Sequence, residues 1–149
     1  MLFRSAAGLK RLGLGDRIRA LISSEDSLPA VGQGALGIEC RADRADVIAL
    51  LQPLHHPDTA ACVLAERALS RALGGSCQVP LGGFAEVKNG KLRMRGFVAS
   101  PDGKRMTSSE LTGEITDPET LGNKIADALR AQGADQILAA ILNVTASHG

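Results

Sequence analysis

One cysteine lies among four glycines in the segment Gly74–Gly83, whose sequence is GGSCQVPLGG. Glycine adds no side chain and adopts backbone conformations that other residues avoid, so the thiol of Cys77 should be accessible to a bulky electrophile. The segment follows a predicted helix, and the negative end of a helix dipole raises the pKa of a nearby thiol rather than lowering it. Two interpretations stay open: an inert loop thiol, which the chemistry alone favours, and a thiol that undergoes one slow, permanent alkylation.

The other cysteines and a pair of histidines carry weaker signals. Cys40, Cys62 and Cys77 are odd in number, and their spacing fits neither a disulfide framework nor paired zinc ligands. Cys62 falls within a predicted helix and Cys40 ends a strand-like run, so we expect both to be small core residues. Because adjacent histidines point in different directions, we expect His55 and His56 to be loop residues beside a helix cap rather than metal ligands.

The segment Gly32–Gly37 matches the literal dinucleotide-binding pattern G-x-G-x-x-G. In that role the pattern stands between a strand and a helix, and an acidic residue ends a strand about twenty residues further on. Here Pro29 comes just before it, the continuation resembles a strand, and the loop His55–Asp58 occupies the later position. We therefore interpret it as a glycine-rich crossover whose backbone amides can approach a ligand closely.

Composition limits the kind of protein. The chain has 149 residues, 44% of them hydrophobic, which is enough for one core with an appendage. Its net charge is +1 and its only aromatic residues are three phenylalanines, so no footprint for nucleic acid is present. No apolar run reaches the length of a membrane span, and the first residues lack a signal-peptide pattern. We expect a soluble, cytoplasmic chain without nucleic-acid or membrane partners.

Two unlike parts make up the chain. Residues 1–41 contain a short predicted helix at 5–12, a basic turn, a loop and the strand-like run 35–40, without partners for their apolar side chains. These residues are predicted to be a fragment of a larger structural unit. Residues 42–149 carry mutually consistent signals and are predicted to form an independent α+β domain.

Helices open and close the second part. One is predicted at 44–51, and another begins with Asp58 as its cap and ends at Gly74 and Gly75. A third opens at Asp117-Pro118 and stops at Gly133, before a last short helix. The apolar residues at helical spacing are Ala61, Leu64, Ala65, Ala68, Leu69 and Ala72, then Leu121, Ile125, Ala128 and Leu129, then Ile137, Leu138, Ile141 and Leu142.

Between these helices the sequence predicts an antiparallel meander of three strands, at 83–88, 91–100 and 104–111. Asn89-Gly90 joins the first two strands with the residues that a tight hairpin requires, and the turn at 101–103 leads into the third. The predicted fold class is α+β, a three-stranded antiparallel sheet with helices on one face.

Three stretches resemble a known family: LPAVGQGALGIECR, LLQPLHHPDTAACVLAERALSRALGGSCQVPLGGFAEV and RGFVASPDG. Over about residues 6–141 the chain resembles the C-terminal half of porphobilinogen deaminase, also called hydroxymethylbilane synthase. The resemblance implies that Cys77 carries a dipyrromethane cofactor through a thioether, on which four porphobilinogen units are assembled before hydroxymethylbilane is released by hydrolysis. It further implies a cytoplasmic, monomeric transferase of porphyrin and heme biosynthesis.

The resemblance extends to other positions. Arg11 aligns with a family arginine that binds the acetate and propionate groups of cofactor or substrate, a role that suits a planar guanidinium. The alternative for Arg11 is a solvated charge at a helix end. Gln33, Gly34 and Ala35 occupy the family's interdomain crossover, where they would contact the pyrrole chain.

Two further residues match the family pattern, Glu66 and Arg67. Both fall on a predicted helix, and for both we expect a salt-bridge role on the helix surface.

The sequence also departs from the family. Full-length members are longer and begin with two domains of periplasmic-binding-protein type, which hold the catalytic aspartate and most carboxylate-binding arginines. Asp16, Asp26 and Asp43 do not match that motif, so we nominate no catalytic residue in this chain. Residues 1–41 would then be a remnant of the preceding α/β domain with its crossover, and the truncated chain would be inactive alone. The alternative is a stand-alone α+β binding or interaction module.

Overall fold

The computed structural model of the chain describes residues 5–74 and 79–146, with side chains up to residue 140. Cys77, the first candidate of the sequence analysis, lies outside the described residues. Within them, no helix is both long enough and apolar enough to cross a membrane.

The leading segment, residues 5–41, has little regular structure. Helix α1 (Ala6–Arg11) begins where the hydroxyl of Ser5 accepts a hydrogen bond from the Gly8 N–H, and a 3-10 helix follows at Gly15–Arg17. The strand expected at 35–40 is absent, and this prediction was wrong. An apolar alternation forms a strand only where a neighbouring strand can pair with its N–H and C=O groups, and this stretch has no such neighbour.

Helix α2 (Ala45–Leu51) runs into a 3-10 helix at Gln52–Leu54, and the long helix α3 (Pro57–Ala72) follows. The cap of α3 is His56, whose Nδ1 accepts from the Thr59 N–H at 3.2 Å.

The prediction that Asp58 caps α3 was therefore wrong, since Asp58 lies in the first helical turn. His55 lies next to the cap of α3, as expected, whereas His56 is itself that cap. Within the described residues there is no group of three or more His, Cys, Asp or Glu side chains placed to hold a metal ion.

Three antiparallel strands form one sheet in the order β1 (Leu81–Lys88), β2 (Lys91–Ala99) and β3 (Met106–Gly113). Asn89 and Gly90, with φ of 52° and 72°, form the tight hairpin between β1 and β2, as their sequence predicts. The meander is thus confirmed, with strand ends displaced by no more than a few residues from those expected.

Helix α4 (Pro118–Ala131) and helix α5 (Ala134–Ala146) complete the domain, and Gly133, at a φ of 95°, separates them. Gly122 in α4 lies directly on α3, since a Cβ at this position would stand 2.2 Å from the carbonyl oxygen of Ala65. The two helices therefore approach each other closely because one of them lacks a side chain at the crossing point.

The core lies between the helices and one face of the sheet, as the fold prediction states. Its largest fully buried side chains are Leu69, Leu92, Met94, Val98, Ile125 and Leu129. Burial of each stabilises the fold by about 1.5–3 kcal/mol relative to exposure. Leu64, expected on the buried face of α3, is instead 42% exposed.

The other face of the sheet contacts the leading segment. Glu25 accepts hydrogen bonds from Arg93 at 3.1 Å and from Arg95 at 2.9 Å. Arg95, whose side chain is only 11% exposed, also lies over the ring of Phe84, with its guanidinium carbon 5.8 Å from the ring centroid. The leading segment is thus attached to the sheet chiefly by charged and polar groups.

Candidate functional site

Both ends of the segment that contains Cys77 are described. Helix α3 ends at Ala72, and Gly74 adopts a left-handed conformation with a φ of 73°. On the other side, Val79 packs against the core and the carbonyl of Pro80 accepts from the Ala99 N–H at 3.2 Å. The segment between these two points therefore starts and ends on the packed domain.

A tight turn at residues 31–34, which together with Ala35 is named the crossover turn, holds the next candidates. Gly32 and Gly34 have φ values of 72° and 86°, a region that L side chains rarely adopt. Within the described residues, the N–H groups of Gly34 and Ala35 have no hydrogen-bond acceptor. Neighbouring unpaired N–H groups in a glycine-rich turn are a setting in which proteins bind anions.

Three contacts fix the crossover turn and the residues just before it to the domain. The carbonyl of Pro29 accepts from the Gly83 N–H in β1 at 3.1 Å. The Gly32 N–H donates to Oε2 of Glu66 in α3 at 2.6 Å. Val31 packs on Gly83 so closely that a Cβ there would stand 2.9 Å from Cγ1 of Val31. The turn is therefore held against both the helix and the strand.

Glu66 is the central side chain of this contact. It is 5% exposed, and its second oxygen, Oε1, accepts from the Ala85 N–H in β1 at 2.8 Å. Burial raises the pKa of Glu66, and its hydrogen bonds to Ala85 and Gly32 oppose that rise. The expected salt bridge on the helix surface was wrong for Glu66, because backbone N–H groups satisfy its carboxylate in a buried position.

Arg67 does lie on the helix surface, as expected, but it forms no ion pair with any residue that the structure describes. Its side chain lines a cleft of about 660 Å³ between the leading segment, α2 and α3.

The crossover turn, α3 and β1 surround a cleft of about 390 Å³, named the turn cleft. The structure brings the three predicted crossover residues together with side chains that the sequence analysis had not assigned to a site. The residues that matter here are Gln33, Gly34, Ala35, Cys62, Glu66 and Phe84.

The thiol of Cys62 faces this cleft but is poorly suited to nucleophilic chemistry. It is half-buried against the core, which agrees in part with the expected core position. Burial raises the pKa of Cys62, and the nearby carboxylates of Glu66 and Asp58 raise it further, so the thiol stays protonated near neutral pH. Cys40 is exposed, and its predicted core position was wrong because residues 35–40 form no strand.

Arg11 is exposed at the last turn of α1, which packs chiefly on the 3-10 helix Gly15–Arg17. It lines neither cleft, so the described structure does not bring it to Gln33, Gly34 and Ala35. Its role as a carboxylate ligand stays a prediction.

The structure supports the rejection of a dinucleotide site at Gly32–Gly37. Within the described residues, no strand precedes this stretch and no helix follows it directly. The first two glycines instead serve the crossover turn.

The geometry defines a class of protein: an α+β domain with a glycine-rich crossover beside its long helix. In the sequence, a cysteine flanked by glycines follows that helix. Two family models match the chain: "Porphobilinogen deaminase, dipyromethane cofactor binding domain" over residues 2–49, and "Porphobilinogen deaminase, C-terminal domain" over residues 60–131. The chain belongs to the porphobilinogen deaminase family and matches its C-terminal region.

Curated relatives named porphobilinogen deaminase agree with this assignment. The chain is 59% identical to that of Nitrosomonas europaea over 137 residues, which are 92% of this chain and 44% of the relative. It is 58% identical to that of Thiobacillus denitrificans, with 92% of this chain and 45% of the relative covered. This chain therefore spans less than half the length of the relatives that it matches.

Proposed function

We propose that this chain belongs to a hydroxymethylbilane synthase, a transferase of porphyrin and heme biosynthesis that joins four porphobilinogen units on a dipyrromethane primer. The observation that carries the proposal is the match of two porphobilinogen deaminase models, in order, to residues 2–49 and 60–131. Each addition forms one carbon–carbon bond and releases the aminomethyl nitrogen of porphobilinogen as ammonia. Water then releases the linear tetrapyrrole.

In this proposal Cys77 holds the primer through a carbon–sulfur bond. Bound there, a dipyrromethane would supply the free end to which each new unit is joined. A Cβ added at Gly74, before the Cys77 segment, would meet no atom within 4 Å, whereas Gly82 and Gly83 after it are packed within β1. Helix α3 and strand β1 fix the two ends of the segment.

The crossover turn fits the carboxylates that pyrrole units carry. Its unpaired N–H groups at Gly34 and Ala35 are donors suited to acetate and propionate oxygens, and the side chain of Gln33 adds an amide. All three line the turn cleft. We propose that they bind part of the pyrrole chain.

The turn cleft does not supply the positive charge that these carboxylates need. Asp58 and Glu66 line it, and both repel anions when ionised. Arg11 is proposed to provide one guanidinium, although it lies away from the cleft in the described structure. Within the described residues, no cationic side chain lines the turn cleft.

None of the three aspartates Asp16, Asp26 and Asp43 is proposed as the catalytic acid. Asp16, Asp26 and Asp43 are exposed, and none lines the turn cleft. Asp26 instead accepts from the Ser23 hydroxyl at 2.7 Å, and Asp43 pairs with Arg41. We therefore propose that the 149-residue chain alone does not consume porphobilinogen.

The test uses a chimera in which this chain replaces the matching 137 residues of the Nitrosomonas europaea relative. We expect the purified chimera to consume porphobilinogen and to carry a dipyrromethane mass on the peptide that contains Cys77. Cys77→Ser should abolish both, because a serine oxygen is the weaker nucleophile toward the same carbon electrophile. Cys40→Ser and Cys62→Ser are the matched controls and should retain the adduct.

The 149-residue chain by itself should show an unmodified, alkylatable thiol at Cys77 by intact-mass spectrometry. An adduct on the isolated chain would contradict its proposed dependence on other residues. An active chimera with the adduct elsewhere, or without one, would contradict the role of Cys77. A chimera that folds but leaves porphobilinogen untouched would favour the binding-module interpretation.

A further inference from the structure

Glu66 uses both of its carboxylate oxygens to join parts of the chain that are far apart in sequence. Oε2 accepts from the Gly32 N–H in the crossover turn at 2.6 Å, and Oε1 accepts from the Ala85 N–H in β1 at 2.8 Å. Since Glu66 itself belongs to α3, one buried side chain connects a helix, a strand and the turn.

This connection is specific to the turn. The Pro29 carbonyl, three residues before Gly32, accepts from the Gly83 N–H, and Val31 packs on Gly83, which together bring the leading segment to the edge of β1. Within the described residues, Glu66 supplies the one side-chain hydrogen bond to residues 31–34. The turn's remaining backbone bond, from Gln33 to Ala30, is local and ties it to nothing else.

We propose that Glu66 is a positioning residue, whose carboxylate sets the distance between the crossover turn and β1. It thereby places the N–H donors of Gly34 and Ala35 beside the strand that follows the Cys77 segment in the chain. The structural part of this proposal depends only on the contacts of Glu66. Its effect on catalysis rests on the proposed function.

The chemistry of the contact requires a carboxylate. Two N–H donors face the side chain, and an ionised carboxylate offers an acceptor to each of them. In Glu66→Gln the amide keeps one acceptor and presents its NH₂ group to the other donor, so one buried N–H loses its partner. Ala85 is held within a paired strand, whereas Gly32 lies in a turn, so we expect the bond to Gly32 to be the one that is lost.

Amide hydrogen exchange on the 149-residue chain tests the contact directly. Glu66→Gln should accelerate exchange at Gly32 by about tenfold, after normalisation to Met94 at the centre of the sheet. Glu119→Gln is the matched control, because it makes the same chemical change in an exposed residue that pairs with Arg71. It should leave Gly32 unchanged. Exchange at Gly32 in Glu66→Gln equal to that of the unsubstituted chain would overturn the proposal.

Kinetics in the chimera described above test the consequence. Glu66→Gln should lower kcat/KM for porphobilinogen by about tenfold, chiefly through a higher KM, because misplaced donors weaken binding of the pyrrole carboxylates. Val98→Ala removes buried methyl groups from β2, away from the turn, and measures what a loss of global stability alone does to the kinetics.

A kinetic change in Glu66→Gln no larger than that in Val98→Ala would reduce Glu66 to a structural role and overturn the proposal. A chimera that is inactive before any substitution would count against the proposed function, while hydrogen exchange at Gly32 would still decide whether Glu66 holds the turn.

Discussion

The leading segment and the domain behind it are held by different interactions. No residue of 5–41 is fully buried, and its contacts with the domain include Glu25 on Arg93 and Arg95, together with the hydrogen bonds of Pro29 and Gly32. The domain has a continuous apolar core between helices and sheet. Exposed ion pairs contribute about 0–1 kcal/mol each, whereas a buried large side chain contributes about 1.5–3 kcal/mol.

The difference predicts that the leading segment can unfold without the domain. A segment held by a few polar contacts can open locally while a packed core stays closed. The crossover turn lies at the boundary between the two regions, and Glu66 joins it to the more stable one. The candidate ligand donors Gly34 and Ala35 thus belong to the leading segment in sequence but are attached to the packed domain through Glu66.

The largest expected effect is in the core. Leu69 is fully buried and lies against Gly83 and Gly96, which leave space for its side chain. Leu69→Ala should lower the free energy of unfolding by about 2–5 kcal/mol, because a cavity remains. Leu64→Ala, on the exposed side of the same helix, is the matched control and should cost less than about 1 kcal/mol. Chemical denaturation measures both, and equal losses would contradict the assigned core.

The same Gly→Ala substitution can be compared at Gly122 in the domain and at Gly37 in the leading segment. Gly122→Ala should cost about 1–3 kcal/mol, since the new methyl group would collide with the backbone of α3. Gly37→Ala has nothing within 4 Å of the added Cβ and no left-handed φ, so it should be neutral or stabilising by up to about 1 kcal/mol. Thermal unfolding of the two variants side by side checks this, and a similar loss in both would remove the contrast between the regions.

A smaller effect is expected from pH. The pKa of Glu66 is raised in the folded chain, so the folded state holds this proton more tightly than the unfolded state. Stability should therefore fall as pH rises from the ordinary glutamate range through the raised pKa, and this component should be missing in Glu66→Gln. Asp58 and Cys62 are the other titratable groups beside Glu66 in the turn cleft. Chemical denaturation at several pH values measures this pH dependence of the unfolding free energy. Parallel curves for the unsubstituted chain and Glu66→Gln would contradict the prediction.

The smallest effect concerns the attachment of the leading segment. Glu25→Gln should accelerate proteolysis within residues 18–40 by up to about fivefold and leave the global unfolding free energy within about 0.5 kcal/mol, because its ion pairs are partly exposed. High salt should produce the same acceleration in the unsubstituted chain. Glu119→Gln is the control and should not change that rate. An equal increase in both variants would show that Glu25 does not hold the segment.

Local chemistry made much of the domain predictable from sequence. Asn89-Gly90 favours a tight hairpin, and Pro118 and Gly133 mark the ends of a helix through their own backbone preferences. The failed strand at 35–40 shows the limit, because a strand also requires a partner that sequence alternation does not reveal.

Glu66 was misassigned because a charged residue on a helix is usually exposed. Its position did contain a signal, since it lies four residues after Cys62 and three before Leu69, on the stripe that faces the sheet. What the sequence could not show was that two backbone N–H groups from distant segments would satisfy it.

Contacts from other segments occupy part of each outer edge of the sheet. On β1, the outward N–H groups of Gly83 and Ala85 are occupied by Pro29 and Glu66. On β3, the side-chain amide of Gln132 pairs with both the N–H and the carbonyl of Ser108, at 3.3 and 3.0 Å. Unpaired strand edges are templates for addition of a further strand from another molecule. The contacts that place the crossover turn therefore also occupy strand-addition sites on the β1 edge of this small sheet.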